Sequence, residues 1–267
     1  MTDAFGSPSA GFSRLVSIVA RLRAPDGCPW DREQTPQSAT PYLLEEAHEA
    51  AEAIDRGDPA VICEELGDLL LQVVFQTQLV ADTTHAFTIE DVIAGIVEKL
   101  IRRHPHVFGD TKVTGTDEVL ANWEKIKRSE KPHKVSMLDG IPKGLPALLR
   151  AYRLGQKASR VGFDWADANG ILGKVEEEAR ELHAAQQQGD MDRVEAEFGD
   201  LLFTLANLGR FLKLDPEGAL RRAADRFTTR FQWIETAARE RGTPLEQLSP
   251  QAWDALWEEA KTCHPEK

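Results

Sequence analysis

Four acids recur in this chain at one spacing, and each set is mirrored about a glycine. Glu46, Glu49, Glu65 and Asp68 reappear 132 residues later as Glu178, Glu181, Glu197 and Asp200. Gly57 stands midway between Glu49 and Glu65, and midway between Glu46 and Asp68; Gly189 has the same place in the second set. Such a glycine reads as the left-handed cap that ends one helix and turns the chain back into another. Residues three apart share a helix face, so Glu49 then faces Glu65 and Glu46 faces Asp68. The pattern demands helical hairpins, built twice, with four carboxylates expected at one level of each.

The surrounding punctuation is helical nearly everywhere. Thr40-Pro41 reads as an N-cap and first-turn proline ahead of YLLEEAHEAAEAIDRG, and Asp58-Pro59 repeats the signal ahead of the next apolar stretch. Thr88 with Asp91 resembles a capping box, opening a helix that ends near His104-Pro105. EVLANWEKIKRSE supplies a fourth helix, and alternating strand patterns are scarce. The Pro- and Gly-rich segment 131–146 reads as a linker. Beyond it the order of the first half returns: GFDW echoes GCPW, EFGDLLF echoes ELGDLLL, and WEEAK echoes WEKIK. The expected architecture is all-α, with two tandem homologous helical-bundle domains at 1–130 and 147–267.

A single E-x-x-E on a helix is usually a solvated face. The doubled, mirrored quartet is not, because ELGDLLLQVVF marks its helix as substantially buried. At an effective dielectric of about 20, two like charges 5 Å apart repel by roughly 3 kcal/mol. Several such pairs need protonation, basic partners or a cation. Oxygen ligands without cysteine select Mg²⁺, with Mn²⁺ as the alternative, over zinc. A di-iron centre would use Glu-x-x-His on paired helices; Glu45 and His48 have that spacing, but Arg180 stands where the repeat would need its second histidine. Gly67 and Gly199, inside E-x-G-D, suggest a close approach of helices or access for a ligand, since glycine costs about 1 kcal/mol relative to alanine there.

Basic residues follow each acid set: Lys99, Arg102 and Arg103 in the first half, Arg226 and Arg230 in the second. A helix C-terminus accounts for any one of them; their recurrence favours phosphate contact. Trp123 and Trp257 either stack on a base or pack, and Trp30 and Trp165 read as packing anchors.

Charge and cysteine content narrow the setting. A formal net charge of −12 argues against nonspecific nucleic-acid or acidic-membrane binding, yet a bridging cation still lets an acidic protein take phosphates. The richest apolar stretch, Leu69 to Val80, is broken by three glutamines, which suits a buried helix rather than a membrane span. The moderately apolar run Leu15 to Ala20 is too short to be expected as a signal-peptide core, and Cys28, Cys63 and Cys263 form no paired motif. A cytoplasmic location with reduced thiols is expected.

From LRAPDGCPWD to the final WEEAK, the chain resembles the MazG family of nucleoside triphosphate pyrophosphohydrolases, through both E-x-x-E…E-x-x-D quartets, RRHPHVF and GFDW. That resemblance implies an all-α homodimer that binds Mg²⁺ and hydrolyses nucleoside triphosphates, with broad tolerance, to monophosphate and diphosphate. It implies a housecleaning role in the nucleotide pool. Lys174 to Glu178 would begin the nucleotide site of the second half, joined by Arg226, Arg230 and Trp257, with Lys99, Arg102, Arg103 and Trp123 as the first half's candidates. Where the family tends to read K-A-N-x-K-F, this chain has RAADRF, with Arg226 for the lysine and Ala224 for the asparagine. The positive charge is kept there, but alanine offers no amide to a sugar or base. Glu45 and Glu177, next to the quartets, are candidate bases or outer-shell carboxylates for attack of water at the α-phosphorus. The competing reading is a module that senses nucleotides through a metal without cleaving them.

Overall fold

A computed structural model describes residues 8–130 and 136–265. These residues form twelve α-helices and one 3-10 turn, with no strand among them, as the all-α expectation requires. The chain divides into two compact units, Met1–Pro132 and His133–Lys267. Residues 131–135 of the expected linker lie outside the described residues; 136–146 form irregular turns.

In the first unit the helices are α1 (Pro8–Arg23), α2 (Pro29–Glu33), α3 (Thr40–Arg56), α4 (Pro59–Thr84), α5 (Ile89–Arg103), α6 (Pro105–Phe108) and α7 (Thr116–Ser129). Gly57 closes α3 with φ +78°, and its N–H donates to the Ala53 carbonyl. Asp58 then caps α4, its side chain accepting from the Ala60 N–H. Two residues thus reverse the chain, and α3 folds back along α4. The cap of α3 differs from expectation by one residue: Ala39 is the N-cap and Thr40 is already helical, because the Thr40 hydroxyl donates back to the Pro36 carbonyl at 2.9 Å. Thr88 and Asp91 form the reciprocal box expected at the start of α5. The core gathers Val19 of α1, Val74, Phe75 and Leu79 of α4, and Ile89 of α5. Arg23, nearly buried at the end of α1, joins α1 to α4 by pairing with Asp82 at 2.5 Å and to α2 by donating to the Asp31 carbonyl.

The second unit holds α8 (Ala147–Ser159), α9 (Ala168–Gln188), α10 (Met191–Phe211), α11 (Pro216–Glu240) and α12 (Pro250–Cys263), with the 3-10 turn Leu245–Gln247 before α12. Gly189, at φ +69°, and Asp190, which accepts from the Arg193 N–H, rebuild the turn of the first unit between α9 and α10. α8 crosses α10 where Gly155 lies against the fully buried Asn207: a Cβ at 155 would fall 1.8 Å from the Asn207 Oδ1. Asn207 donates to the Phe203 carbonyl and accepts from Arg210, which grips Asp164 of the GFDW loop with two hydrogen bonds. Ile234, Ala237, Leu256 and Ala260 form a second core between α11 and α12, flanked by Trp233, Trp253 and Trp257.

One face of each unit stays uncovered. On α5 every residue from Asp91 to Arg102 is exposed, including Val92, Ile93, Ile96, Val97, Leu100 and Ile101. Phe198, Leu202 and Phe203 of α10 are open in the second unit.

Candidate metal and phosphate sites

Each hairpin turn brings three acids of its quartet together. Carboxylate oxygens of Glu46 and Glu49 on α3 and Glu65 on α4 lie within 4.8 Å of one another. Those of Glu178 and Glu181 on α9 and Glu197 on α10 do the same. The fourth acid is exposed in each unit. Asp68 and Asp200 lie outside these groups, although Asp68 is near enough for its charge to act on Glu46. A Cβ at Gly67 or Gly199 would meet nothing within 4 Å, so neither glycine marks a close approach of helices within its unit.

In the first trio burial and mutual repulsion act in the same direction. Loss of hydration raises the Glu46 carboxyl above its ordinary value, and the charges of Asp68 and Glu49 add to this while a hydrogen bond from Gln72 opposes it. Glu65 is raised in the same direction, by desolvation first and then by Glu49, Glu64 and Asp68. Among the described residues no lysine, arginine or histidine forms an ion pair with Glu46, Glu49, Glu65 or Asp68. All donors are hard oxygens, so the chemistry of the set fits Mg²⁺ or Mn²⁺.

In the second trio the charge is met from within. Lys174, one turn before Glu178, places its Nζ 2.8 Å from the Glu178 Oε1 and 2.9 Å from the Glu177 Oε1. Hydrogen bonds to Glu178 and then Glu177 push the lysine well above its usual range. Arg193 pairs with Glu197 at 3.2 Å. Glu178 is 5% exposed, the most buried acid of either trio. Arg193 escaped the sequence reading because it sits four residues before Glu197 on an otherwise ordinary helix start, where an i, i+4 pair is commonplace.

The other candidates divide. Arg102 and Arg103 both bind Glu130, Arg102 at 2.8 Å. Arg103 also lies over the Trp123 ring at 5.2 Å, and Lys127 over the same ring at 4.6 Å. The Arg103 guanidinium holds Glu130 at about 2, with Arg102 assisting and burial opposing. Lys99 is exposed on α5. Arg230, buried on α11, donates twice to the His264 carbonyl and so fastens the end of α12. Trp257 packs 5.5 Å from Phe227 and borders the α11–α12 core. Arg226 is half-buried on α11; Glu45 is exposed, and Glu177 is engaged by Lys174. Trp30 stands 52% exposed with its ring 5.7 Å from Tyr42. No helix among the described residues is long and apolar enough to cross a membrane.

Comparison with known proteins draws on both halves. Residues 34–108 match the MazG nucleotide pyrophosphohydrolase domain, and residues 156–227 match the phosphoribosyl-ATP pyrophosphohydrolase family. The nucleoside triphosphate pyrophosphohydrolase/pyrophosphatase MazG of Thermotoga maritima is 50% identical over 94% of this chain and 95% of its own length. The nucleoside triphosphate pyrophosphohydrolase of Escherichia coli is 43% identical over 93% of this chain and 96% of its own. The uncharacterized protein YabN of Bacillus subtilis is 49% identical over 94% of this chain, which spans 51% of that protein.

Proposed function

Since the chain belongs to the MazG family of nucleoside triphosphate pyrophosphohydrolases, hydrolases of phosphoric anhydrides, we propose that it cleaves nucleoside triphosphates to monophosphate and diphosphate on divalent ions held by its glutamate trios. The observation that carries this reading is the convergence of three carboxylates to within 4.8 Å on each hairpin. Raised carboxyls at Glu46 and Glu65 support it, because a cation relieves the repulsion that burial intensifies.

In this reading Glu46, Glu49 and Glu65 hold one ion site and Glu178, Glu181 and Glu197 the other, with Asp68 and Asp200 completing the shells directly or through water. A bound Mg²⁺ polarises the phosphate and acidifies a coordinated water. Glu177 and Glu45, one residue before the first ligand of each set, are the candidate bases for the water that attacks the α-phosphorus. Lys174, Arg226 and Arg230 serve the phosphates of the second unit, and Trp257 flanks the base; Lys99, Arg102, Arg103 and Trp123 are the corresponding set in the first. Broad base tolerance and a nucleotide-pool role belong to the same proposal, as do a cytoplasmic setting, consistent with three free cysteines, and a domain boundary within 131–146.

A second copy is the proposed cover for the open apolar faces. Ile93, Ile96, Val97 and Leu100 of α5 are each 40% exposed or more, an apolar stripe of the kind that marks an interface. Light scattering then reads a dimer, and Ile96→Lys on α5 weakens it.

The direct test is to incubate the protein with a triphosphate and Mg²⁺ and identify the products. Monophosphate plus diphosphate is expected, with loss of at least 100-fold in Glu178→Ala and on chelation of the metal (roughly the scale of a lost transition-state ligand). Release of nucleoside diphosphate and orthophosphate, or binding without turnover, would overturn the assignment.

A further inference from the structure

The two acid trios superpose in sequence yet differ in what stands beside them. Lys174 and Arg193 occupy register positions that in the first unit are Tyr42 and Val61, each 132 residues earlier. The exchange removes both internal cations from the first trio. Tyr42 turns its ring toward Trp30, 5.7 Å away, and Val61 is half-buried on α4. In the second unit two of three trio glutamates are already engaged, Glu178 by Lys174 at 2.8 Å and Glu197 by Arg193 at 3.2 Å.

Resting on the reading of both trios as divalent-ion sites, we propose that they load differently: the first unit takes its ion unaided, whereas the second takes its ion together with a polyphosphate that draws Lys174 off Glu178. Electrostatics sets the difference. A divalent ion entering beside Glu178 meets a lysine ammonium already bound to that carboxylate. In the absence of another anion the lysine stays, since leaving strips its charge of both Glu178 and Glu177. A triphosphate changes the balance, because its oxygens give the ammonium a new partner of higher charge. The lysine stem is long and flexible, and its head is a point charge that re-aims at small cost. Lys174 is therefore a positioning residue that couples metal to nucleotide. By reciprocity, metal raises nucleotide affinity in the second unit by the same factor that nucleotide raises metal affinity. The first unit has no such coupling through a side chain at position 42.

Mn²⁺ binding to the full chain tests this, read by the paramagnetic resonance signal of free Mn²⁺. Titrations run without and with a triphosphate whose α,β-bridge is an uncleavable imido group, corrected for chelation by the analogue itself. Glu178→Gln/Glu197→Gln isolates the first site and Glu46→Gln/Glu65→Gln the second. Without analogue, the first site is expected to bind Mn²⁺ roughly tenfold more tightly, from one unit charge acting on a divalent ion at about 5 Å in a water-like dielectric. Lys174→Met should raise analogue-free affinity at the second site by a similar factor and remove most of the gain the analogue brings. Tyr42→Lys, at an exposed position that accepts a lysine, should transplant the effect and weaken the first site equally. Equal analogue-free affinities with no response to either substitution overturn the coupling and leave the ion sites standing. Absence of Mn²⁺ binding in every variant, analogue included, overturns the coupling and the ion sites together.

Discussion

Neutralising one glutamate at equivalent positions of the two hairpins is expected to change stability in opposite directions. In the metal-free protein Glu46 has two carboxylates, Glu49 and Glu65, within 4.8 Å and no cationic partner among the described residues. Each like-charge pair at that distance costs about 0.9 kcal/mol in a water-like dielectric and about 3.5 kcal/mol at a dielectric of 20. Glu49 is exposed and Glu46 only partly buried, so the lower figure governs. Glu46→Gln should then stabilise the first unit by about 1–2 kcal/mol in the presence of a chelator. Glu178→Gln has the opposite sign, because Glu178 is buried and bonded to Lys174; a loss of about 1–2 kcal/mol is expected, discounted for the partly exposed lysine. Since a two-domain chain has no single unfolding free energy, the assay is native-state hydrogen exchange followed peptide by peptide. Protection across α3 and α4 should rise about 5- to 30-fold in Glu46→Gln, while protection across α9 and α10 falls in Glu178→Gln. Excess Mg²⁺ should reverse the first result, the variant having lost a ligand. Destabilisation by Glu46→Gln in chelator, matching that by Glu178→Gln, would falsify the claim that the first trio is held under repulsion.

Acid stability and core packing supply two more tests. Glu130 is held at about 2 in the folded protein against an ordinary 4.5, so the stability it contributes is complete above pH 4.5 and vanishes as the pH falls toward 2. Glu130→Gln should cost about 1–2 kcal/mol at neutral pH after allowance for solvent screening and converge with the parent chain near pH 2 in urea titrations of the first unit; an unchanged gap across that range would show the pair to be inert. Gly155→Ala drives a Cβ to 1.8 Å from the Asn207 Oδ1 and should destabilise α8 and α10 by about 2–3 kcal/mol. Adding Asn207→Ala should recover part of that loss, and strict additivity of the two changes would count against the clash.

The sequence made the hairpins legible because their determinants are local: a positive-φ glycine, an aspartate cap and a period of three to four residues. Convergence of the three glutamates follows from those same elements. Resemblance alone marks Lys174 as a candidate for phosphate contact; its grip on Glu178 and Glu177 depends on rotamers that spacing leaves open. Arg102 and Arg103 illustrate another limit. Their place after the acids points to phosphate contact, but their pairing with Glu130, 27 and 28 residues downstream, is not legible there, because a partner that distant in sequence leaves no periodic trace. Thr40 misled by a single residue because its hydroxyl could bond backward to Pro36 as readily as cap forward.

The short reversals at Gly57-Asp58 and Gly189-Asp190 set how each hairpin can evolve. One extra residue in either reversal would rotate the returning helix by about 100° and carry Glu65 or Glu197 to a different side of its axis. Most loops absorb insertions freely, but these two act as phase-setting joints: lengthening one would dismantle the glutamate trio without altering any of its members.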